Sequence, residues 1–270
     1  MTERNVPTRA RGTSAENPQF EVIGLAAKVV FFPVGNGDMT LIQLESGRTI
    51  LIDINIREPG DNVRDVAGDL RARLKVDGSG RPYIDAMVLS HPDQDHCRGL
   101  LQHFHLGPLA DYKQPKAGEP AKIVIREMWS SPMVFRRMPA DQKLCDDAEA
   151  WAKEARRRVN LYKRKREFLA GDRIQIMGED KDGKTDDITE ILVQAGNTIT
   201  SINGVVDGTF RGRLLAPKGK GTDEEEERRS KNHSSIIIRF SIAHDGTLHA
   251  CRFLSGGDRR AHPQDARSRP

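Results

Sequence analysis

The chain has 270 residues, 37% apolar and 30% charged, with a mean hydropathy of −0.59. This length suits one to two domains, and 43 Lys and Arg against 39 Asp and Glu leave a net charge of +4, a balance that permits an acidic or nucleic-acid partner without demanding one. No stretch approaches the ~20 apolar residues of a membrane span, no apolar signal core opens the chain, and Cys97, Cys145 and Cys251 are too few and too scattered for a disulfide framework or a thiolate zinc cluster. A cytoplasmic protein with no membrane partner is expected, and collagen, coiled coil, channel and small secreted scaffold are excluded.

Residues 1–20 are polar and aperiodic and read as a disordered arm. KVVFF (28–32), MTLIQL (39–44) and TILIDI (49–54) are short runs rich in Val, Ile, Leu and Phe, separated by the turn chemistry of PVGNGD and ESGR. They predict an antiparallel meander. Val63, Val66, Ala67, Leu70 and Leu74 recur at helical spacing within 61–76, and IDAMVLS (84–90) reads as a buried strand. A short helix is expected in DHCRGLLQHF (95–104), then a strand in KIVIREMW (122–129).

The clearest helix runs between Asp141 and Leu169, where Leu144, Ala148, Trp151, Ala155, Val159 and Tyr162 repeat every three or four residues. Its outer face is expected to carry Lys153, Arg156, Arg157, Arg158, Lys163, Arg164, Lys165 and Arg166. Within it, Arg156, Arg157, Lys163 and Lys165 are candidate phosphate ligands, since neutralisation of phosphates by Lys and Arg dominates nucleic-acid affinity. RIQIM (173–177) reads as a strand, 179–210 as a long polar loop or insertion, and RLLAP (213–217) as a strand end. KGKGTDEEEERRSKN (218–232) reads as a charged surface loop. SSIIIRFSI (234–242) and TLHACRFL (247–254) close the pattern as a hairpin before a polar basic tail over 259–270.

One segment carries chemistry. Ser90-His91-Pro92-Asp93-Gln94-Asp95-His96 places four ligand-type side chains within six positions at the C-terminal end of a strand. Nitrogen and oxygen donors converging at ~2.0–2.2 Å are what a divalent transition metal needs. The competing reading is a charged loop with Asp93 or Asp95 as a helix N-cap. An acidic share in the donor set makes Mn²⁺ a competitor of Zn²⁺. No G-x-S-x-G elbow exists, and Cys97, beside His96 at a helix start, reads as packed rather than nucleophilic.

HPDQDH resembles the H-x-[HD]-x-D-H signature of the metallo-β-lactamase-fold hydrolases. VGNGD (34–38), ILIDIN (50–55) and SHPDQDHCRGL (90–100), then Asn232-His233-Ser234-Ser235 and Leu254-Ser255-Gly256-Gly257-Asp258, follow the block order of the hydrolase domain of the bacterial competence DNA-uptake channel family. The likeness spans about 28–258, interrupted by insertions near 130–170 and 179–210. It implies an α/β fold, an αββα sandwich over 21–258, lacking its last C-terminal strands or completed by a partner chain.

The resemblance also implies roles. His91 and Asp93 hold a first metal, Asp95 and His96 a second, and Asp258 bridges them. Asp53 and Asp38 orient the ligands, and Asn232 and Ser235 sit at the rim near the metals or the substrate; His233, adjacent to that block, is read from its position as a candidate substrate-side acid or base. The implied activity is that of a divalent-metal-dependent hydrolase, a phosphodiesterase or nuclease whose metal-bound hydroxide attacks phosphorus in line while Asp95 orients the water. The family's pattern continues to a further histidine, and His262 reads as a tail residue. Three alternatives stay open: a fragment or truncated product, completion by a partner protein, or a single metal ion. The rival function is a module with weak metal binding and little activity alone.

Overall fold

The computed structural model describes residues 26–60, 63–135, 143–180, 183–217, 235–244 and 247–251. The expected arm over 1–20, the acidic stretch within 218–232, Asn232, His233, Asp258 and the tail over 259–270 lie outside the described residues. The first three apolar runs form the expected meander of β1 (Lys28–Phe31), β2 (Thr40–Gln43) and β3 (Thr49–Ile52), in register from Lys28↔Gln43 and Gln43↔Thr49. β4 (Ile54–Asn55), helix α1 (Val66–Arg71), β5 (Lys75–Val76), β6 (Pro82–Ile84) and β7 (Ala86–Val88) follow. The motif segment then gives α2 (Gln94–Cys97) and α3 (Leu100–His103). Beyond it come β8 (Phe104–His105), β9 (Ile123–Ile125), β10 (Glu127–Ser130), α4 (Asp146–Lys165), β11 (Arg173–Met177) and β12 (Leu192–Val193).

Seven of these strands form one mixed sheet in the order β1-β2-β3-β7-β10-β11-β12, in which β3, β7, β10, β11 and β12 are parallel. A small sheet, β5-β6-β9-β8, continues from it. The last part of the chain adds β13 (Thr198–Ile199), β14 (Ser201–Ile202), β15 (Val205–Val206), β16 (Phe210–Ala216), β17 (Ile237–His244) and β18 (Thr247–Cys251). Of these, β13-β16-β17-β18 make an antiparallel four-stranded sheet.

Strand alternation divides the core in two. Leu41, Leu51, Met87 and Met128 face α1 and α4 and pack with Leu70, Trp151, Ala155 and Val159. Ile42, Ile50, Val88 and Trp129 face the second sheet and pack with Phe210, Leu214, Ile238 and Phe240. The architecture is therefore mixed α/β, with helices on one face of the large sheet and a second sheet on the other. β3 is buried along its whole length, as a strand covered on both faces must be. The outer face of the second sheet exposes Arg211, Arg213 and Arg239, the last two paired across strands.

Several expectations from the sequence are corrected. The helix expected over 61–76 is only α1, because Asp65 Oδ1 caps Gly68 N at 2.8 Å and the Asp77 turn draws Lys75 and Val76 into a strand pairing with Pro82 and Tyr83. IDAMVLS and KIVIREMW are each two strands, broken at Asp85 and Arg126. Asp85 accepts from Thr49 N at 3.0 Å and Arg126 Nη1 at 3.2 Å, so that ion pair sits where both strands leave one sheet for the other. The expected helix over 95–104 is two single turns, parted at Gly99 with φ +92°. α4 ends at Lys165 rather than near Gly171, Arg166 itself taking the left-handed cap, and Asp141 is outside the described residues. The region 179–210 is not a plain loop: it holds a 3₁₀ turn (Asp186–Ile191), strands β12–β15 and the start of β16. Asn203-Gly204, both at positive φ, form the two-residue turn joining β14 and β15, a hairpin signal visible in the sequence.

The outer face assigned to α4 is also wrong at Arg158, which is 1% exposed. Its guanidinium donates to Glu154 Oε1 at 2.8 Å, Arg173 O at 3.0 Å and Ile125 O at 3.0 Å, binding the helix to the ends of β9 and β11. Glu154, also buried, accepts from Arg157 at 2.7 Å and from Gly107 N at 3.0 Å. Burial alone would push the Glu154 carboxyl up, but the two guanidiniums outweigh it and hold it below its ordinary value. Removing one member of a buried ion pair strands its partner's charge. Glu154→Ala should therefore cost about 3–5 kcal/mol in urea unfolding with an unchanged m-value. Because the folded pKa is depressed, this stabilisation is fully present above the ordinary carboxylate range and lost as pH falls below it. The gap between wild type and variant should hold at neutral pH and close only in acid; a gap that widens on acidification would contradict the assignment.

Candidate metal centre

The end of β3 organises the site. Asp53 is fully buried and sits in the left-handed region at φ +53°, a conformation that asparagine and aspartate tolerate better than other non-glycine residues. Its backbone N–H still reaches Val88 O at 2.9 Å, so the side chain is turned under the end of β7. There it accepts from Ser90 N at 2.7 Å, Ser90 Oγ at 2.6 Å and His96 Nδ1 at 2.9 Å. Ser90, also fully buried, donates its hydroxyl hydrogen in the bond to Asp53, and His91 Nδ1 lies 3.1 Å from the same oxygen. That oxygen therefore accepts from His91 Nδ1–H.

This arrangement fixes both imidazoles. Each has its Nδ1 engaged from below, directly or through Ser90, by one carboxylate. The Nε2 of His91 stands 3.6 Å from Asp93 Oδ2, and that of His96 stands 3.8 Å from Asp95 Oδ2. The rings lie 3.7 Å apart between centroids, tilted by 46°. His91 and His96 are largely buried, whereas the Asp95 side chain is 47% exposed and opens the site to solvent. Burial pulls the His91 imidazole below its ordinary value, and the adjacent His96 adds to that. Burial pulls on His96 too, but the hydrogen bond to Asp53 and the charges of Asp53, Asp95 and Asp38 leave it raised. Asp93 occupies the N-cap position of α2 without making a capping bond, which weakens the helix-cap reading. The donors stand in these pairs; among the described residues no group of three or more His, Cys, Asp or Glu side chains is placed to hold one ion.

The backbone around the pairs is closely fitted. A Cβ on Gly37, at φ +119°, would lie 2.3 Å from Asp95 O, so the glycine turn is pressed against the motif. Asn55 Nδ2 holds that turn by donating to Val34 O and Asn36 O. β4 bridges in parallel to Cys97 and Arg98, and Ile56 N donates to Arg98 O at 2.9 Å. From the helical layer, Asp147 at the start of α4 accepts from Gly99 N at 2.9 Å and Leu101 N at 2.8 Å, capping α3. From the second sheet, Ile236 N donates to Ser90 O at 2.8 Å.

Of the residues singled out in the sequence, His91, Asp93, Asp95, His96, Asp53 and Asp38 come together here, and Ser235 is buried next to the Ile236–Ser90 link. Asn232, His233 and Asp258 lie outside the described residues. Among the candidate phosphate ligands of α4, Arg156 donates to Val134 O at 2.9 Å. Arg156 shares a cavity of ≈ 50 Å³ with Pro92 and Leu89 of the motif strand and loop. Arg157 is committed to Glu154 and Asp172, and Lys163 to Asp187 at 2.8 Å. Lys163 and Lys165 follow Asp147 by sixteen residues or more, roughly 25 Å along the helix at its usual rise. Cys97 is buried against Asp93 O and Cys145 Sγ, and burial pushes its thiol far up, as expected of a packed residue. Asn55, Gly37 and Asp147 were missed in the sequence, where only the turn chemistry of VGNGD hinted at Gly37. No protein-family model and no curated protein matches the chain.

Because Asp53 satisfies three buried donors, Asp53→Ala should destabilise the fold by at least about 3 kcal/mol. Asp53→Asn, which keeps the backbone conformation and one acceptor, should cost clearly less. Thermal unfolding of both variants checks this, and equal losses would mean that the retained backbone conformation and single acceptor of asparagine contribute nothing and the carboxylate itself dominates.

Proposed function

We propose that His91, Asp93, Asp95 and His96 hold one or two divalent cations, Zn²⁺ or Mn²⁺, and that the protein is a metal-dependent hydrolase acting on phosphodiesters. The observation that carries this reading is the anchoring of both Nδ1 atoms, which turns both Nε2 atoms toward carboxylates. Metal-ligating histidines almost always donate their second ring N–H in this way. Two imidazoles and two carboxylates are also a donor set chemically suited to these ions. A cation bound there would supply Lewis acidity toward a phosphoryl oxygen and lower the pKa of a water.

The chain's own residues do the remaining work. Asp53 and Ser90 keep the imidazoles in one tautomer, Asp95 reaches solvent where it can accept a proton from an attacking water, and Arg156 offers a cation beside the motif. The resemblance to the metallo-β-lactamase-fold hydrolases supports the same reading, as do the layering of helices, sheet and sheet and the place of the motif beyond β7. An αββα sandwich and a nucleic-acid or nucleotide substrate belong to this proposal; the substrate rests on analogy and on basic side chains.

Purified protein should bind Mn²⁺ or Zn²⁺ and turn over bis-p-nitrophenyl phosphate. Asp95→Ala should lower that rate roughly hundredfold or more, as loss of an acid–base group does. Gly37→Ala, which touches no donor but crowds Asp95 O, should weaken metal affinity by about tenfold or more. Full activity in Asp95→Ala would remove the mechanism. For the substrate, Arg156→Glu should weaken DNA binding and lower its salt slope by about one, whereas Lys165→Glu should do little; the reverse ranking would move the contact to the far end of α4.

A second reading is favoured by one observation, that among the described residues the donors form pairs and no larger group. In it the chain is a module with weak metal binding whose site a protein partner completes. Tight metal binding measured by calorimetry on the chain alone would decide against it.

A further inference from the structure

The parallel strands β7, β10 and β11 have the motif beyond the C-terminal end of β7; their other ends carry a different chemistry. Arg126 precedes β10 and Arg173 begins β11, and with Arg81 they line a cleft of ≈ 380 Å³, within the usual size of small-ligand sites. Four or five residues of strand, roughly 15 Å, separate this cleft from the level of the motif.

Each guanidinium is held in place. Arg126 lies 3.2 Å over the Tyr83 ring and pairs with Asp85 at 3.2 Å. Arg173 lies 4.1 Å over Phe168 and stands 3.6 Å from Glu127. Arg81 pairs with Asp77 at 2.8 Å and faces Tyr112. An arginine presents five N–H donors in a rigid fork, and the stacking and pairing seen here use only part of each. Asp77 is the one carboxylate on the lining, and Asp85 and Glu127 meet Arg126 and Arg173 from outside it. Burial pushes the Glu127 carboxyl up, against the hydrogen bond from Asn203 N and the charge of Arg173. The same lining carries an apolar part, Leu109 and Leu169, the latter 41% exposed, beside the Phe168 ring under Arg173.

We propose that this cleft binds a small phosphate monoester with an apolar or aromatic organic part. Planar, bidentate donors match phosphate oxygens, and a lining with three guanidiniums to one carboxylate favours a dianion over a monoanion. The wall of Leu109 and Leu169 takes the organic part. The site lies apart from the metal centre and does not depend on the hydrolase reading.

Phenyl phosphate is the probe, titrated calorimetrically into the full chain at low salt with EDTA present, so that divalent cations play no part. One saturable site is expected at millimolar concentration or below. Arg81→Gln, which removes one charge-assisted donor, should weaken it about tenfold. Leu169→Glu, on an exposed position, places a carboxylate at the mouth and should weaken it at least as much, while Asp95→Ala leaves it unchanged; circular dichroism checks that all variants fold. Benzoate should bind several-fold more weakly than phenyl phosphate. The proposal falls if wild type shows no saturable binding, if Leu169→Glu binds as wild type does, if Asp95→Ala abolishes binding, or if benzoate binds equally well.

Discussion

A single buried carboxylate sets the conditions for the rest of the structure. Asp53 ends β3 in a left-handed conformation and, from there, satisfies the backbone and hydroxyl of Ser90 and the Nδ1 of His96. A carboxylate removed from water is costly unless its oxygens find donors. Asp53 meets that condition only when β3 and β7 are in parallel register and the loop after β7 folds back over it. Sheet pairing, loop path and imidazole orientation are thus one cooperative unit rather than three independent features.

The layers converge on the same loop. The glycine turn supports it through Gly37 and Asn55, the helical layer caps it through Asp147, and the second sheet attaches to it through Ile236. Elements of both hydrophobic cores of the large sheet therefore adjoin the motif. This explains why Gly37 and Gly99 sit at positive φ with backbone or Cβ atoms pressed against them: a side chain there would displace the loop rather than merely strain the turn.

Much of this was legible in the sequence, for physical reasons that also mark the limit. Runs such as TLIQ and TILI, and the three-to-four spacing from Ala148 to Tyr162, report burial directly, so the meander, β11 and α4 follow from pattern alone. HPDQDH likewise announces itself by composition. What a pattern does not report is a partner distant in the chain. The breaks at Asp85 and Arg126 arise from one ion pair between residues 41 apart, and Arg158 looks solvated until the carbonyls of Ile125 and Arg173 are placed around it. Asp147 reads as one acid among several at a helix start, and only the fold shows its oxygens on Gly99 and Leu101. The short strands between 192 and 206 escaped because two residues are too few to display a period.

The two ends of the parallel strands are electrostatic opposites. At one end Asp38, Asp53, Asp93 and Asp95 surround two imidazoles, of which burial holds His91 toward its neutral form. At the other, three arginines share a cleft with Asp77. Neither cluster is what folding alone would select, since like charges gathered around a site repel and a packed apolar surface would serve stability better. Local conflicts of this kind mark the places where a sequence answers to something other than its own fold. In the proposed readings an excess of carboxylate around anchored imidazoles would be resolved by a cation, and a lining rich in guanidinium beside apolar side chains by an amphiphilic anion. The sign of each imbalance, more than any single distance, is what supports the ligand class proposed for each end.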